Sequence, residues 1–226
     1  MPGEEYLRYP MPEITDFLGR RPLKILFIPF AAVTFSFDEY EKRVKERFAE
    51  IGHTVTSIHH SADPVKAVLD AEAILTGGGN TWQLVRMMND LGLFPLIRAR
   101  VLAGTPFIGW SAGSNIACPT LRTTNDMPII DPKGFDCINL VPFQINPHYL
   151  DKNPDGHGGE TREQRIEEFL EINPCLYVVG LREGTMLRRE ENLLSLIGQR
   201  TARIFKKGTN PLELGQKDDF SFLLTV

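Results

Sequence analysis

The sequence lacks the features that mark several large classes of protein. It has no run of about eighteen consecutive apolar residues, so we expect no membrane-spanning helix. A secretory signal has a few basic residues followed by an apolar run. The first residues of this sequence show no such pattern, so we expect no secretory signal. Basic residues are not in excess, because 25 Lys and Arg face 29 Asp and Glu, a net charge of −4. General nucleic-acid binding is therefore disfavoured, whereas a local basic pocket stays possible.

Cysteine is scarce. The three cysteines, Cys118, Cys137 and Cys175, are odd in number and show no paired spacing, which argues against a disulfide framework. No CxxC motif suggests zinc, and the sequence shows no cluster of ligands that would argue for a metal. We therefore expect no metal and no cofactor. A reducing compartment is the simplest setting, so the expected location is the cytoplasm.

The sequence contains enough hydrophobic residues for a sizeable core. Of its 226 residues, 42% are hydrophobic, and 14 are Phe. No stretch resembles a linker between two domains. The expected organisation is a single α/β domain over residues 1–226, in which residues 1–22 form a peripheral N-terminal segment.

Strand and helix patterns alternate over the first ~120 residues. Two capping boxes, Ser36 with Glu39 and Thr161 with Gln164, predict the starts of two helices. The alternation predicts a doubly wound, mostly parallel sheet with helices on both faces. Residues 186–226 instead predict antiparallel strands at a sheet edge. Short apolar runs predict the other strands, at 24–29, 53–58, 73–76, 105–110, 138–145 and 176–181.

Two glycine-rich segments follow predicted strands, where ligands bind in such sheets. The first is Thr76-Gly77-Gly78-Gly79-Asn80-Thr81, which suits an anion or oxyanion site but also suits a plain turn. The second, residues 109–113, reads GWSAG and fits the G-x-S-x-G turn that presents a nucleophilic serine between a strand and a helix. Ser111 is therefore the candidate nucleophile, and the N–H of Ala112 a candidate oxyanion donor.

A serine nucleophile needs a base and an orienting acid. His148 follows the strand ending QINP, on the same edge as Ser111, and is favoured over His157 in an exposed glycine-rich loop. Glu183 follows the strand LYVVGL and is one candidate acid. Asp126, in the long polar loop, is the other, and the residues alone leave the choice open.

Long segments of the sequence resemble the peptidase E family of α-aspartyl dipeptidases. They cover most of residues 24–190 and read FIPFAAVTFSFDEY, LTGGGNTWQL, IGWSAGSNIACPTLRTTNDMPIIDPKGFD, LVPFQINPHYLD and GHGGETREQRIEEFL. The resemblance implies a flavodoxin-like fold related to class I glutamine amidotransferases, with serine replacing their cysteine. It also implies serine-type hydrolysis of dipeptides with N-terminal aspartate.

The same resemblance implies roles for individual residues. Ser111 would be the nucleophile, His148 the base and Glu183 the acid, with Asp126 as the competing acid. The N–H groups of Gly79 and Ala112 would form the oxyanion hole. These assignments need no cofactor and no metal.

Aspartyl specificity requires a cation for the substrate carboxylate. Arg122 and Arg162 are the candidates, because a guanidinium pairs with a carboxylate in a planar, bidentate manner. Asn80 is a further candidate substrate contact. The expected partner is a small Asp-Xaa peptide rather than nucleic acid or membrane. Two alternatives stay open: an isoaspartyl, cyanophycinase-like exopeptidase, and a non-catalytic anion-binding module built on the TGGGNT loop.

Overall fold

The computed structural model describes residues 5–225, which form alternating helices and strands followed by antiparallel strands. The helices are α1 Met11–Leu18, α2 Phe37–Ala49, α3 Pro64–Asp70, α4 Thr81–Asp90, α5 Leu93–Leu102, α6 Ala112–Ala117 and α7 Arg162–Ile172. The strands are β1 Lys24–Ile28, β2 Thr54–Ser57, β3 Ala73–Thr76, β4 Phe107–Gly109, β5 Gln144–Pro147, β6 Tyr177–Leu181, β7 Thr185–Glu190, β8 Leu193–Gly198, β9 Ala202–Lys206 and β10 Leu212–Leu214.

The first sheet is parallel, with strand order β2-β1-β3-β4. Its central strands β1 and β3 are buried on both faces, because helices cover the side chains that point to each side of the sheet. Leu26 and Ile28 of β1 pack with α3, α4, α5 and α6 on one face. Ile25 and Phe27 pack with α1 and α2 on the other. The predicted doubly wound sheet with helices on both faces is thereby confirmed.

The second sheet has strand order β10-β9-β6-β5. Strands β5 and β6 run parallel, whereas β9 pairs antiparallel with both β6 and β10. Strands β7 and β8 form a separate antiparallel pair. The antiparallel character predicted for residues 186–226 is thus present, but the strands divide between a sheet edge and a separate hairpin.

Helix α6 joins the two sheets. The Nδ2 of Asn115 donates to the backbone carbonyl of Ile145 in β5 at 2.9 Å. The N–H of Ile145 in turn donates to the Sγ of Cys118, the residue that ends α6, at 3.2 Å. Because α6 follows β4 directly, these contacts tie the end of the first sheet to β5 of the second.

Local sequence signals predicted some elements well and one poorly. Both capping boxes are formed at the starts of α2 and α7. The strand predicted over 138–145 is wrong for most of its length, because β5 begins only at Gln144. Ile138 and Leu140 instead donate backbone hydrogen bonds to the last residues of α6. Their segment is apolar because it packs on the core as a loop.

The N-terminal segment contributes to the core. Helix α1 buries Met11, Ile14 and Leu18 against the face of the first sheet that α2 also covers. Part of the segment expected to be peripheral is therefore packed. Within residues 5–225, none of the helices has the length and apolar character needed to cross a bilayer.

Candidate active site

Ser111 lies on a sharp turn between β4 and α6. Its backbone has φ 55° and ψ −112°, a conformation rarely adopted by residues with a side chain. A Cβ on Gly109 would lie 2.3 Å from the carbonyl oxygen of Gly113. A Cβ on Gly113 would lie 2.2 Å from the carbonyl oxygen of Thr76. Both positions therefore require glycine, which is the physical basis of the G-x-S-x-G pattern.

The glycine-rich loop after β3 lies beside this serine. A Cβ built on Gly78 would lie 2.9 Å from the Cβ of Ser111. Gly79 has φ +137°, and a Cβ there would meet the carbonyl oxygen of Ala31 at 2.2 Å. That same carbonyl accepts the N–H of Asn80 at 2.8 Å, which holds the loop in place. The N–H of Gly79 donates to no residue within 5–225, so it is free to bind an anion.

Tyr40 of α2 holds the glycine-rich loop after β3 through hydrogen bonds of its hydroxyl. Its hydroxyl donates to the carbonyl of Gly78 at 3.0 Å and accepts from the Nε1 of Trp110 at 3.2 Å. Tyr6 also donates to this hydroxyl, at 3.2 Å. Burial raises the pKa of Tyr40, so the hydroxyl keeps its proton for the Gly78 carbonyl. The loop is therefore fixed by a side chain that the sequence patterns did not single out.

His148 and Glu183 meet at the carboxyl ends of two neighbouring parallel strands. Pro147 of β5 pairs with Leu181 of β6, so the residues that follow them share one edge. The His148 Nδ1 lies 2.5 Å from the Glu183 Oε2. The two side chains are 55% and 46% exposed. A hydrogen bond so exposed adds little stability, so its effect is to orient the ring.

The serine and the imidazole are not hydrogen-bonded to each other in the structure. Among residues 5–225, the Oγ of Ser111 has no hydrogen-bond partner, and the His148 ring is hydrogen-bonded only to Glu183. Catalytic hydrogen bonds are often long in unliganded enzymes and shorten once substrate binds. The structure therefore holds a histidine oriented by Glu183 and a half-buried serine on a sharp turn, each directly after a strand.

Asp126, the other candidate acid, lies elsewhere. Its Oδ2 accepts from the N–H of Thr81 at 2.7 Å, from the Thr81 hydroxyl at 2.6 Å and from the Thr124 hydroxyl at 3.0 Å. Its carbonyl accepts from the Nε1 of Trp82 at 3.0 Å. The structure thus places Asp126 at the start of α4, just after the TGGGN loop, and not beside the ring of His148.

The two candidate arginines line one small pocket of about 60 Å³. The guanidinium of Arg122 stacks on the Phe135 ring at 4.8 Å. Burial lowers the pKa of Arg162, the nearby charge of Arg165 adds to this effect, and the charge of Asp126 opposes it. Within residues 5–225, neither Arg122 nor Arg162 has an ion-pair partner. The same pocket is also lined by Thr123, Thr124, Asn125, Asn146, Arg165, Ile166 and Phe169.

Two asparagines connect this pocket to His148. The Nδ2 of Asn125 donates to the carbonyl of Pro147 at 2.6 Å. The Nδ2 of Asn146 donates to Asn125 at 2.7 Å and to the Thr123 carbonyl at 2.9 Å. The Oδ1 of Asn146 is buried and accepts no hydrogen bond from the described residues. Sequence reasoning missed this acceptor, although it lies in the quoted QINPH segment.

Other candidates take structural positions. Asn80 uses both ends of its amide within the protein, accepting from Gln83 N–H at 3.1 Å and donating to the Met127 carbonyl at 3.0 Å. Cys118 is fully buried, and burial raises the pKa of its thiol to about 12. It therefore carries no thiolate that could replace the serine. His53 is buried and accepts the Leu23 N–H at 3.2 Å.

Tyr9 connects the N-terminal segment to the active-site rim. Burial, followed by the charges of Glu183 and Glu13, raises the pKa of Tyr9 to about 12. The hydroxyl is buried and has no hydrogen-bond partner among residues 5–225. The charge of Glu183 therefore acts on the segment before α1, a relation between distant parts of the chain that no local pattern indicates.

The structure also brings together four side chains that could hold a metal ion, a cluster that the sequence analysis did not identify. Asp38, Glu41, His59 and His60 place four ligand atoms within 4.8 Å of one another. These residues are split between α2 and the 3-10 turn Ile58–His60 that follows β2. The cluster is separate from Ser111 and His148.

The geometry suits acyl-transfer chemistry. Such chemistry needs a serine on a strained turn, a histidine oriented by a carboxylate, and free backbone N–H groups near the serine. Ala112 is the first residue of α6, so its N–H has no partner inside the helix. A pocket with two unpaired guanidinium groups adds a binding place for a carboxylate.

Comparison with known proteins agrees with this chemistry. The model of Peptidase family S51 matches residues 1–197. The chain is 50% identical over 222 residues to a protein of Nostoc sp. named Peptidase E, covering 98% of this chain and 92% of that one. It is 47% identical over 220 residues to a Peptidase E of Citrobacter koseri, covering 96% of this chain and 95% of that one.

A solved structure supports the fold. A peptidase from an acI-B1 Actinobacterium superposes with a TM-score of 0.69 at 18% sequence identity. The superposition covers 97% of this chain and 93% of that structure. At this identity the likeness shows that the α/β fold is shared.

The packing of the turn at Ser111 generates a stability prediction. Alanine in place of a helical glycine normally favours the helix by ~1 kcal/mol. We expect Gly113→Ala to lower the free energy of unfolding instead, by ~1–3 kcal/mol, because the new Cβ meets the backbone at Thr76. Urea unfolding measures the change. The matched control is Gly158→Ala, where no atom lies within 4 Å, and its expected effect is within ~0.5 kcal/mol. A Gly113→Ala protein as stable as the parent would contradict the packing argument.

Proposed function

This chain belongs to Peptidase family S51, and from that premise we propose that it is a serine dipeptidase that hydrolyses dipeptides with N-terminal aspartate. The observation that carries the proposal is the combination of Ser111 on its strained turn with the His148–Glu183 pair on the same rim. The substrate class rests on the two unpaired arginines of the nearby pocket.

In the proposed mechanism the Oγ of Ser111 attacks the peptide carbonyl carbon. The Nε2 of His148 accepts the hydroxyl proton as the carbon–oxygen bond forms. Glu183 bonds to the Nδ1 side of the ring, which selects the tautomer with Nε2 free and stabilises the imidazolium. The ring then protonates the leaving amine, and the peptide carbon–nitrogen bond breaks. Water, activated by the same ring, hydrolyses the acyl-enzyme.

The developing oxyanion requires donors that are already in position. We assign this role to the N–H groups of Gly79 and Ala112. Gly79 belongs to the TGGGN loop beside the serine, and Ala112 to the serine's own turn. Loss of one such donor typically lowers kcat by ~10²–10³. Tyr40, through its bond to the Gly78 carbonyl, keeps the Gly79 peptide in orientation. It therefore acts on catalysis by positioning the loop.

The substrate's side-chain carboxylate is assigned to the pocket of Arg122 and Arg162. Burial disfavours the charged guanidinium of Arg162 despite the nearby charge of Asp126, and a bound carboxylate offsets that cost. Arg162 is the better candidate because it is half-buried, whereas Arg122 is exposed. Asn146 also lines this pocket, and its buried Oδ1, which has no partner among residues 5–225, is the acceptor we assign to the substrate's amino group.

The proposed location is the cytoplasm, because none of the three cysteines is paired and two of them are buried as free thiols. A peptide substrate follows from membership in a peptidase family. The isoaspartyl alternative differs only in which carboxyl group of aspartate forms the cleaved peptide bond. The substrate assay below therefore distinguishes the two specificities. A non-catalytic anion-binding module is disfavoured, since it gives no role to the histidine and carboxylate opposite the serine.

The first test removes the nucleophile. Ser111→Ala is expected to lower kcat for α-Asp-Leu by on the order of 10⁴–10⁶, because no other hydroxyl occupies that turn. Product amino acids are quantified for α-Asp-Leu, β-Asp-Leu and Ala-Leu. Ser195→Ala, on the β7–β8 hairpin, is the control and should retain parental activity. Full activity in Ser111→Ala would refute the serine mechanism. Faster cleavage of β-Asp-Leu by the parent would replace the α-aspartyl assignment with the isoaspartyl one.

The second test separates the two acids. Glu183→Gln should lower kcat by ~10²–10⁴ with little change in unfolding free energy, because the pair is exposed and its role is to orient the ring. Asp126→Asn should lower the melting temperature, because its carboxylate accepts two hydrogen bonds from Thr81 at the start of α4 and one from Thr124. Kinetics and thermal unfolding are measured on both variants. The assignment fails if Glu183→Gln keeps parental kcat.

The third test concerns specificity. Arg162→Lys keeps a charge but loses the bidentate geometry, so KM for Asp-Leu should rise by ~10–100-fold while kcat changes less. Selectivity for Asp-Leu over Asn-Leu should fall by a similar factor. Arg200→Lys, on the exposed turn before β9, is the control. Unchanged selectivity in Arg162→Lys, accompanied by a loss in Arg122→Lys, would transfer the role to Arg122.

A further inference from the structure

We propose that Asp38, Glu41, His59 and His60 form a zinc site that fastens the turn after β2 to the first turns of α2. Asp38 and Glu41 lie three residues apart on one helix, so their side chains share a face. The two histidines follow β2 directly on a 3-10 turn. The fold brings the two pairs together because α2 packs beside β2.

The distances fit one ion. The Nε2 of His59 lies 3.0 Å from Asp38 Oδ1, and the Nε2 of His60 lies 3.4 Å from the same oxygen. The His60 Nε2 is 2.8 Å from Glu41 Oε2. Zinc bonds of 2.0–2.2 Å in a tetrahedron place neighbouring ligand atoms ~3.3–3.5 Å apart. All four ligand atoms already lie within 4.8 Å of one another, so small side-chain rotations complete the site.

A second set of contacts orients these ligands in the way that metal sites require. The Nδ1 of His59 lies 2.6 Å from the Ser57 hydroxyl, which directs the Nε2 toward the cluster. The Glu41 Oε1 accepts from the N–H of Ser57 and from Lys45 Nζ, each at 2.8 Å. The Oε2 of Glu41 is left to face His60. Hydrogen-bonded outer partners of this kind fix ligand orientation and tune affinity.

The ligand chemistry selects zinc among the common divalent ions. Two imidazole nitrogens and two carboxylate oxygens match its usual ligands and its four-coordinate geometry. Magnesium and calcium prefer sets made only of oxygen, so they are expected to compete poorly. Four protein ligands leave no open position, which is typical of a structural site.

The site is distinct from the proposed catalytic centre. In the sheet order β2-β1-β3-β4, three strand spacings of ~4.8 Å, about 14 Å in all, separate β2 from the strand that leads to Ser111. The ligands also share no residue with the His148–Glu183 pair. The proposed zinc ion therefore acts on the stability of the β2 edge and not on the bond-breaking step.

Calorimetric titration with ZnCl₂ tests the site directly on chelator-treated full-length protein. One tight site is expected in the parent, in His157→Gln and in His148→Gln, and none in the double variant His59→Gln/His60→Gln. Ser57→Ala should weaken binding by ~10–100-fold through the loss of its bond to His59. Saturating zinc should raise the melting temperature of the parent and leave that of the double variant unchanged.

Asp38→Asn provides a second measurement if the double variant does not fold. Asp38 is 75% exposed, so its substitution should preserve the fold while weakening zinc binding at least ~10-fold. Two outcomes overturn the proposal: a parent that binds zinc no more tightly than Asp38→Asn, or binding that disappears in His148→Gln and persists without His59 and His60. The second outcome would assign the zinc to the exposed His148–Glu183 pair.

Discussion

The close contact between two glycine-rich turns is the constraint on which the proposed active site depends. The α-carbon of Gly113 lies against the carbonyl of Thr76, the last residue of β3, with no space for a side chain. This contact fixes the Gly109–Gly113 turn against the TGGGN loop, so the serine and both proposed oxyanion donors are positioned together. Holding Ser111 at a positive φ costs ~1–3 kcal/mol. The burial of strands β1 and β3, next to this contact, offsets that cost.

The second half of the proposed site depends on how the two sheets are joined. His148 and Glu183 meet because β5 and β6 are parallel neighbours, but nothing in that pairing brings them near the serine. Helix α6 links the two parts of the proposed site, since it begins at Ala112, next to the serine, and binds β5 through Asn115. The loop over 119–136 then closes one side of the rim, anchored by Asp126 at the start of α4.

Much of the fold could be predicted from the sequence, because its signals are local. Capping boxes, short apolar strands and the G-x-S-x-G turn each lie within a few residues. The failures arose where a segment's environment depends on distant contacts. Ile138 and Phe143 are apolar because they pack on α6 and the second sheet, and that pattern resembles a strand. The cluster of Asp38 and His60 was missed because its members are about twenty residues apart. For the same reason, the residues alone could not choose between Glu183 and Asp126.

The pattern of charge explains why a mildly acidic chain suits an acidic substrate. The arginines in and beside the second sheet are paired: Arg182 contacts Asp151 and Glu213, and Arg203 contacts Glu163 and Glu213. Arg122 and Arg162 have no such partner among residues 5–225, and burial works against the charge of Arg162. A protein gains no stability from an unpaired, half-buried guanidinium. Such a group is favourable only when a ligand supplies the missing carboxylate. The proposed specificity therefore rests on a pocket lined by Arg122 and Arg162, neither of which forms an ion pair within residues 5–225.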